Sequence, residues 1–456
     1  MLMIFSANII NMIFNVLTNF LLPKYLSVES YSAIKTYQLY LTYAGIFSLG
    51  CADGMYLKYG GRSMDTIDMT DLKTDLFSYR SLMITVNIVM LAIAIPAHDK
   101  VLLGFVYTIF FTNMMNYFKN LYRAIGEFDR YGRIINITTI LMFAVNMILL
   151  FAVRSDNYYY YLIGYAIINM FVWILLEYNS YGAMKAAGKA RISIPIIVSN
   201  IRSGFSLMIG NFSNILLSSM DRWFVKMMMD TAQFAAYSFA VSLEGFLFVA
   251  TTPITVTLYN YFCNHREEED VAKVRKYVFI FATIIIAIAY PGKLIVQYFL
   301  PKYTGSIQVM FILFGAEVFY SVIKGVYVNL YEAEKKQTLY FIRLAAVLVI
   351  GAILNYVFVK IYPQKEAFSY GTLLSGFIWL MMCIYDFNKY SFPLKELIFS
   401  TIMISCFVIT GINCGAVVGF IIYVTAWLFM DRALLWKETT ELCRLVRSSI
   451  HDKTLR

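Results

Sequence analysis

Asparagine recurs along the first apolar segment at a spacing that groups the amides. The residues are three, four and four positions apart, which is the spacing of one helix face: Asn8, Asn11, Asn15 and Asn19. An amide left without hydrogen bonds in lipid costs roughly 2–7 kcal/mol, so the stripe should face protein or a wet cavity. Two interpretations remain open, namely hydrogen bonds between packed helices and the lining of a substrate cavity.

A second stripe follows, which consists of Asn211, Asn214, Ser218 and Asp221. Its first three members lie 203 positions after Asn8, Asn11 and Asn15. The same offset brings Tyr31 onto Phe234 and Tyr56 onto Tyr259. Because six apolar helices separate the two copies, both copies point the same way in a membrane. The offset therefore predicts two parallel six-helix lobes, with a substrate site at their interface.

Charged residues inside or beside apolar segments are further candidates for substrate binding. Lys35, with Gln38 nearly one turn further on the same side, is either a cavity cation for an anionic substrate or a side chain that reaches the outer interface. Arg222 borders the predicted outer mouth, where it contacts substrate or forms a local cap or ion pair with Asp221.

Two carboxylates are predicted near the membrane midplane, Glu244 and Glu317. Each is a candidate for coupling to H⁺ or Na⁺, and each has a structural alternative. Glu317 would then pair with Lys324, two turns later on the same face. Glu244 would form hydrogen bonds within the protein or to the substrate.

The composition shows which elements must position these residues. Hydrophobic residues make up 60% of the 456 residues, charged residues 14%, and the mean hydropathy is +0.65. So little polar surface excludes a water-soluble globule of this length and predicts a helical bundle in lipid.

Apolar runs long enough to cross a bilayer recur along the chain. We predict fourteen, and twelve or thirteen also fit: 1–22, 30–52, 76–97, 101–121, 134–153, 158–179, 199–220, 233–262, 277–300, 305–328, 339–361, 368–385, 396–412 and 414–430. The first run is longer than a signal-peptide core and is expected to be a retained helix. The predicted fold is an all-α polytopic membrane bundle with one six-helix lobe in 1–198, another in 199–390, and a helix pair and tail in 391–456.

The distribution of basic residues predicts the orientation of the bundle. Most of the 38 Lys and Arg residues fall on alternate connections and on the C-terminal tail. Since such residues accumulate on cytoplasmic loops, both termini are expected in the cytoplasm, in a bacterial cell membrane. The net charge of +10 then follows from topology and does not indicate nucleic-acid binding.

Signals for an enzyme are few. The three His residues lie in loops or the tail, no Gly-rich phosphate loop or zinc-helix motif is present, and the six Cys residues have no metal-ligand spacing. We therefore expect a transporter with no catalytic residue, metal or cofactor, apart from coupling to H⁺ or Na⁺.

Four segments resemble Wzx-type oligosaccharide flippases of the multidrug/oligosaccharidyl-lipid/polysaccharide (MOP) exporter superfamily. The main one is SLGCADGMYLKYGGR (48–62), which is similar to the end of helix 2 and the first cytoplasmic loop of the family. The others are LPKYLSVESYS (22–32), MDRWFVKMMMDTAQFAAYSFA (220–240) and LPKYTGS (300–306). The resemblance extends over nearly the whole chain.

The resemblance implies a carrier that moves an undecaprenyl-pyrophosphate-linked oligosaccharide to the outer leaflet by alternating access. Such carriers serve O-antigen, capsule or exopolysaccharide assembly, and polysaccharide polymerases or assembly proteins are expected partners besides the lipid. Family members often carry Arg in the first two helices to meet the pyrophosphate, whereas this chain offers only Lys35 there. An ion-coupled multidrug exporter of the same fold and a membrane polysaccharide polymerase or ligase are the alternatives.

Overall fold

The computed structural model describes residues 2–185, 188–390, 392–442 and 444, without the side chains of 2–10, 181–183, 249–250, 252–257 and 260. Within these residues the regular structure is helical. The long helices are α1 (Leu2–Tyr25), α2 (Val28–Thr42), α3 (Cys51–Tyr59), α4 (Met69–Ala97), α5 (Lys100–Ala124), α6 (Phe128–Ala152), α7 (Tyr158–Met184), α8 (Ile194–Met228), α9 (Thr231–Asn264), α10 (Glu268–Phe299), α11 (Pro301–Ala333), α12 (Gln337–Ile361), α13 (Glu366–Asp386), α14 (Leu394–Asn413) and α15 (Ala416–Leu434).

The chain is a multi-pass helical membrane protein. Among the described residues, ten helices are long and apolar enough to cross a bilayer by length and composition. Each of the fourteen predicted spans coincides with a helix or, for the second span, with α2 and α3 together. The predicted all-α membrane bundle is therefore confirmed.

The second span is broken, which the sequence did not predict. After α2 the chain forms a 3₁₀ turn, Ala44–Ser48, and then passes through two left-handed residues, Leu49 (φ 53°) and Gly50 (φ 80°). Glycine adopts this conformation without the Cβ clash that leucine suffers. A Cβ at Gly50 would also lie 3.1 Å from the backbone of Gly204, so α8 packs against the break.

Helix caps confirm the 203-residue repeat. Ser27 accepts a hydrogen bond from the Ser30 amide before α2 (3.2 Å), and Asp230 accepts one from the Gln233 amide before α9 (2.8 Å). These side chains satisfy amides that the first helical turn leaves unpaired. Asp230 lies 203 residues after Ser27, and Gln233 lies 203 residues after Ser30. The first residues of α2 and α9 are also 203 positions apart.

A later turn is also repeated, at an offset of 209 residues. The α5–α6 turn contains left-handed Gly126, and the α11–α12 turn contains left-handed Lys335. The Glu127 amide donates to the Tyr122 carbonyl (2.8 Å), and the Lys336 amide donates to the Tyr331 carbonyl (2.7 Å). These are matching helix ends with a left-handed cap. The two six-helix repeats are followed by the pair α14 and α15.

The chain forms two compact units, Met1–Ser219 and Met220–Arg456, whose boundary lies inside α8. In the first unit a core that includes Met55, Tyr79 and Tyr117 holds α3, α4 and α5 together. In the second unit α11 is the central helix, and nearly all of it is buried against α9, α13 and α14. The lobe limits at residues 198 and 390 stay predictions.

We expect reporter fusions to show that both termini lie in the cytoplasm. A cytoplasmic reporter joined after Arg62 or Lys189 should be active, and an external reporter should be active only near Lys302. The physical reason is the retention of Lys and Arg on the cytoplasmic side during insertion. The measurement is paired alkaline phosphatase and fluorescent-protein fusions, and an inverted pattern would contradict the orientation.

Candidate functional site

A cavity of about 230 Å³ lies inside the first unit, where α1, α2, α6 and α7 meet. We call it the first-unit cavity. Its lining contains two predicted residues, Asn15 of the α1 stripe and Gln38 of α2, with further hydroxyl and amide groups and aromatic rings. The residues are Phe14, Asn15, Thr18, Tyr37, Gln38, Leu41, Thr138, Thr139, Met142, Phe143, Asn146 and Tyr165. This lining includes no charged residue, and it combines amide and hydroxyl groups with aromatic and aliphatic side chains.

Contacts between α1 and α6 form one wall of the first-unit cavity. The rings of Phe14 and Phe143 stack with their centroids 4.4 Å apart. One turn before Asn15, Asn11 accepts a hydrogen bond from the Thr139 hydroxyl. The α1 stripe therefore combines both predicted roles, because Asn11 joins two helices while Asn15 lines the cavity. Asn8 lies outside the residues whose side chains the structure describes.

Two stacked tyrosines form the opposite wall. The rings of Tyr37 and Tyr165 lie 5.9 Å apart. The Tyr37 hydroxyl donates to Thr108 (2.9 Å) and the Tyr165 hydroxyl donates to the Asn146 amide oxygen (2.6 Å). Because both hydroxyls are engaged in buried bonds, the two rings are held in fixed orientations.

Lys35 lies beside this cavity and is absent from its lining. Its side chain is 9% exposed, its Nζ donates to the Asn19 amide oxygen (3.1 Å), and its Nζ lies 5.4 Å from the centre of the Tyr31 ring. The ammonium is thus buried between α1 and α2 with polar and aromatic contacts, which offset part of its desolvation.

The polar stripe on α8 does not reach the first-unit cavity. Asn211, Asn214 and Ser218 are exposed. Asn211 donates to the Asp53 carboxylate (3.4 Å), whereas Asn214 and Ser218 donate to carbonyls of their own helix, those of Gly210 and Ile215. Their predicted part in substrate binding stays a prediction.

A group of charges is buried in the second unit. We call Asp221, Glu244, Glu317, Arg222 and Lys324 the second-unit charge cluster. The four other members all act electrostatically on Glu244, which is 8% exposed. Three carboxyl groups thus face two cations in a low-dielectric setting, where like charges repel strongly.

Hydrogen bonds within this cluster are unevenly distributed. Asp221 accepts from the Tyr237 hydroxyl (2.6 Å) and from the Arg222 amide (2.7 Å) in the interior of α8, so its predicted role as a local cap or ion pair stays a prediction. Glu317 is 2% exposed, and neither of its carboxyl oxygens has a hydrogen-bond partner of normal geometry among the described residues. A buried carboxyl group in this position is suited to carrying a proton.

The predicted ion pair between Glu317 and Lys324 is not formed within the part of the chain that the structure describes. Instead, the Lys324 Nζ lies 4.5 Å from the centre of the Phe248 ring and 5.5 Å from that of Tyr320. The chain enters a π-helical segment at Ile323–Val328, whose wider turn changes the direction of Lys324. The described residues also contain no group of three or more His, Cys, Asp or Glu side chains that could hold a metal ion.

Solved structures of two transporters share this architecture. A structure of the lipid II flippase MurJ, in an inward closed conformation, matches with a TM-score of 0.68 and 14% identity, over 94% of this chain and 98% of that one. An inward-facing multidrug resistance MATE transporter of the MOP superfamily matches with a TM-score of 0.60 and 12% identity, over 87% and 95%. The chain has the MOP transporter fold. No protein-family model and no curated protein matches its sequence.

Sequence reasoning found two of the twelve residues that line the first-unit cavity in this MOP fold. Thr139 and Asn146 lie seven residues apart on α6 and so share a helix face, which is the signal that could have indicated them. Tyr165 and Tyr37 gave no separate signal, because tyrosine is abundant throughout the chain and is common at membrane interfaces. Asn15 and Gln38 are the predicted residues that the structure brings together.

Substitutions at Lys35 test whether its positive charge is needed for transport. We expect Lys35→Arg to retain transport and Lys35→Gln to lose most of it, since a charge-assisted contact to an anionic substrate is stronger than a neutral one. Surface polysaccharide measured against membrane protein level gives the result. Equal export by both variants would remove Lys35 from the site.

Proposed function

We propose that this protein is a flippase for a lipid-linked oligosaccharide, which it moves from the cytoplasmic to the outer leaflet of a bacterial cell membrane. The expected substrate is an undecaprenyl-pyrophosphate-linked oligosaccharide for O-antigen, capsule or exopolysaccharide assembly. Movement by alternating access of two six-helix lobes is part of the proposal. The protein acts as a transporter in this proposal and has no catalytic residue.

The observation that carries the proposal is the uncharged lining of the first-unit cavity, with its amide and hydroxyl groups, within a MOP fold. Sugar hydroxyls both donate and accept hydrogen bonds, and amide and hydroxyl side chains match them in both roles. The fold supports the same class of substrate, since the matched MurJ structure is described as a lipid II flippase.

An ion-coupled exporter of small cationic compounds is the second candidate function. The observation in its favour is the second-unit charge cluster, where Asp221, Glu244 and Glu317 place an excess of carboxyl groups in a buried site. Against it, the lining of the first-unit cavity has no carboxylate to attract a cation. Coupling to H⁺ or Na⁺ at Glu244 and Glu317 fits either substrate, so these residues do not separate the two functions.

Depletion of the protein in its host tests the proposal. We expect loss of surface polysaccharide and accumulation of the lipid-linked oligosaccharide in membrane extracts, because synthesis continues while translocation stops. Mass spectrometry of extracted prenyl-pyrophosphate lipids measures this. Unchanged lipid intermediates together with increased drug sensitivity would instead support the exporter.

The cavity residues provide the matched variants. We expect Asn15→Leu with Gln38→Leu to insert normally and to lower surface polysaccharide about tenfold or more, because two hydrogen-bonding groups of about 1 kcal/mol each are removed and buried sugar hydroxyls are left unpaired. Thr425→Ala serves as the control, since its hydroxyl bonds to the Ile421 carbonyl of its own helix and the residue is not part of the cavity lining. Equal polymer at equal protein level in both variants would contradict a role for the cavity.

A further inference from the structure

A polar column follows one face of α5 to the end that is predicted to face the cytoplasm. Its residues are four, three and four positions apart: Thr112, Asn116, Lys119 and Arg123. We call them the α5 column. The Thr112 hydroxyl oxygen is buried, and it has no hydrogen-bond partner among the described residues. Buried hydroxyls usually have a hydrogen-bond partner, so this hydroxyl is available to bind a polar group of a ligand.

The two cations of the α5 column have no counter-ion within 4 Å in the described part of the chain. Other basic residues at the same end do, as in Lys58 with Asp75 and Arg80 with Glu177, both at 2.6 Å. Lys119 is half-buried, and the Arg123 charge acts on it electrostatically. Residues one helical turn apart have Cβ atoms about 5–6 Å apart, so the two charges repel unless an anion lies between them.

Arg123 is exposed, so its guanidinium is accessible to such an anion. Its guanidinium lies 5.4 Å from the centre of the Tyr56 ring. Asp53 is the acidic group that interacts with Arg123, but it is not within ion-pair distance and its carboxylate accepts a bond from Asn211 (3.4 Å). The arginine is therefore held by an aromatic face, with its donors still able to bind a phosphate.

The fold itself does not require these cations. At the 209-residue offset defined by the matching turns, Lys119 corresponds to Val328 and Arg123 to Glu332. The second copy of the helix thus forms with an apolar residue and an opposite charge at these positions. Positive charges at these two positions therefore occur in the first unit and not at the corresponding positions of the second.

We propose that the α5 column binds the pyrophosphate of the lipid-linked substrate as it arrives from the cytoplasmic leaflet. Arg123 binds phosphate oxygens in a bidentate manner, Lys119 supplies a point charge, and Asn116 and Thr112 donate hydrogen bonds deeper in the membrane. This site supplies the anion contact that α1 lacks. It rests on the proposed function for the identity of the lipid.

Binding of a soluble probe tests the site directly. The full-length protein in phosphatidylcholine nanodiscs is titrated with farnesyl pyrophosphate. We expect Lys119→Gln and Arg123→Gln each to weaken binding about tenfold or more, and Lys119→Arg to retain it. Arg133→Gln is the control, because Arg133 lies near the same end and donates only to the Asp129 carbonyl among the described residues. Binding should also weaken as salt is raised.

The outcomes separate the sources of phosphate. Equal affinity for inorganic pyrophosphate supports the site, since the head group is the part that it recognises. Displacement of the probe by phosphatidylglycerol overturns the proposal, because an ordinary lipid phosphate would then be the ligand. Absence of binding by the wild type, or equal binding by the wild type and the double glutamine variant, also overturns it. Normal lipid intermediates after depletion, with probe binding intact, would contradict the flippase function and leave this site standing.

Discussion

Gly204→Ala is expected to destabilise the protein by about 3 kcal/mol or more, because its Cβ would occupy space filled by another backbone. The added atom would lie 2.1 Å from the Gly50 carbonyl oxygen and 2.2 Å from the Gly54 nitrogen. Gly54→Ala should act in the same direction, since its Cβ would lie 1.9 Å from the Asn200 carbonyl oxygen. Backbone atoms cannot rotate away as a side chain can, so α8 must separate from α3.

Thermal unfolding in detergent, followed by size-exclusion chromatography, measures this effect. Gly45→Ala is the matched control, because a Cβ at Gly45 meets nothing within 4 Å and the residue lies in the same broken span. We expect the control to unfold near the wild-type temperature. Equal melting temperatures for Gly204→Ala and Gly45→Ala would show that the close approach of α3 and α8 is not a feature of the folded protein.

Glu396→Gln is the second substitution with a large expected effect. The Arg275 Nε donates to one carboxyl oxygen of Glu396 (2.6 Å) and its Nη2 to the other (3.3 Å). The two side chains are 0% and 1% exposed, and the guanidinium lies 4.6 Å from the centre of the Phe392 ring. Loss of one partner leaves an uncompensated buried charge, so we expect a cost of about 3–5 kcal/mol.

This ion pair joins the first turn of α14 to α10 and so fastens the C-terminal helix pair to the second unit. Limited proteolysis between α13 and α14, together with the melting temperature, should report its loss. Glu441→Gln is the control, because the Lys273–Glu441 pair is 43% exposed on both sides and such pairs contribute little. Arg275→Met with Glu396→Met should restore much of the stability, and a double variant as unstable as Glu396→Gln would contradict this account.

Much of the architecture could be predicted from sequence, because the governing signals are strong and local. The stretches of apolar residues predicted the helices, and the matched asparagines predicted an offset of 203 that the caps at Ser27 and Asp230 reproduce. The break at Leu49 and Gly50 could not be predicted, since the apolar run continues through it. Its cause is the close approach of Gly204, which is distant in sequence.

The site was only partly predictable for a related reason. Helical spacing shows that Asn15 lies on a polar face, but it does not show which face of α6 adjoins it, so Thr138 and Asn146 were missed. The expected pairing of Glu317 with Lys324 assumed a regular α-helix, and the π-helical segment at Ile323–Val328 changes that register. Register changes and helix–helix neighbours depend on packing, which periodicity alone does not encode.

Translocation in proteoliposomes tests the central claim most directly. The purified protein is reconstituted with a fluorescent prenyl-pyrophosphate-linked oligosaccharide, and exposure of the sugar on the opposite leaflet is followed with a membrane-impermeant quencher. We predict rapid exchange between leaflets with the wild type and with Thr425→Ala. Exchange at the rate of protein-free vesicles is predicted with Asn15→Leu and Gln38→Leu combined. Failure of the folded wild-type protein to accelerate exchange, alone and with an imposed proton or sodium gradient, would contradict the flippase assignment.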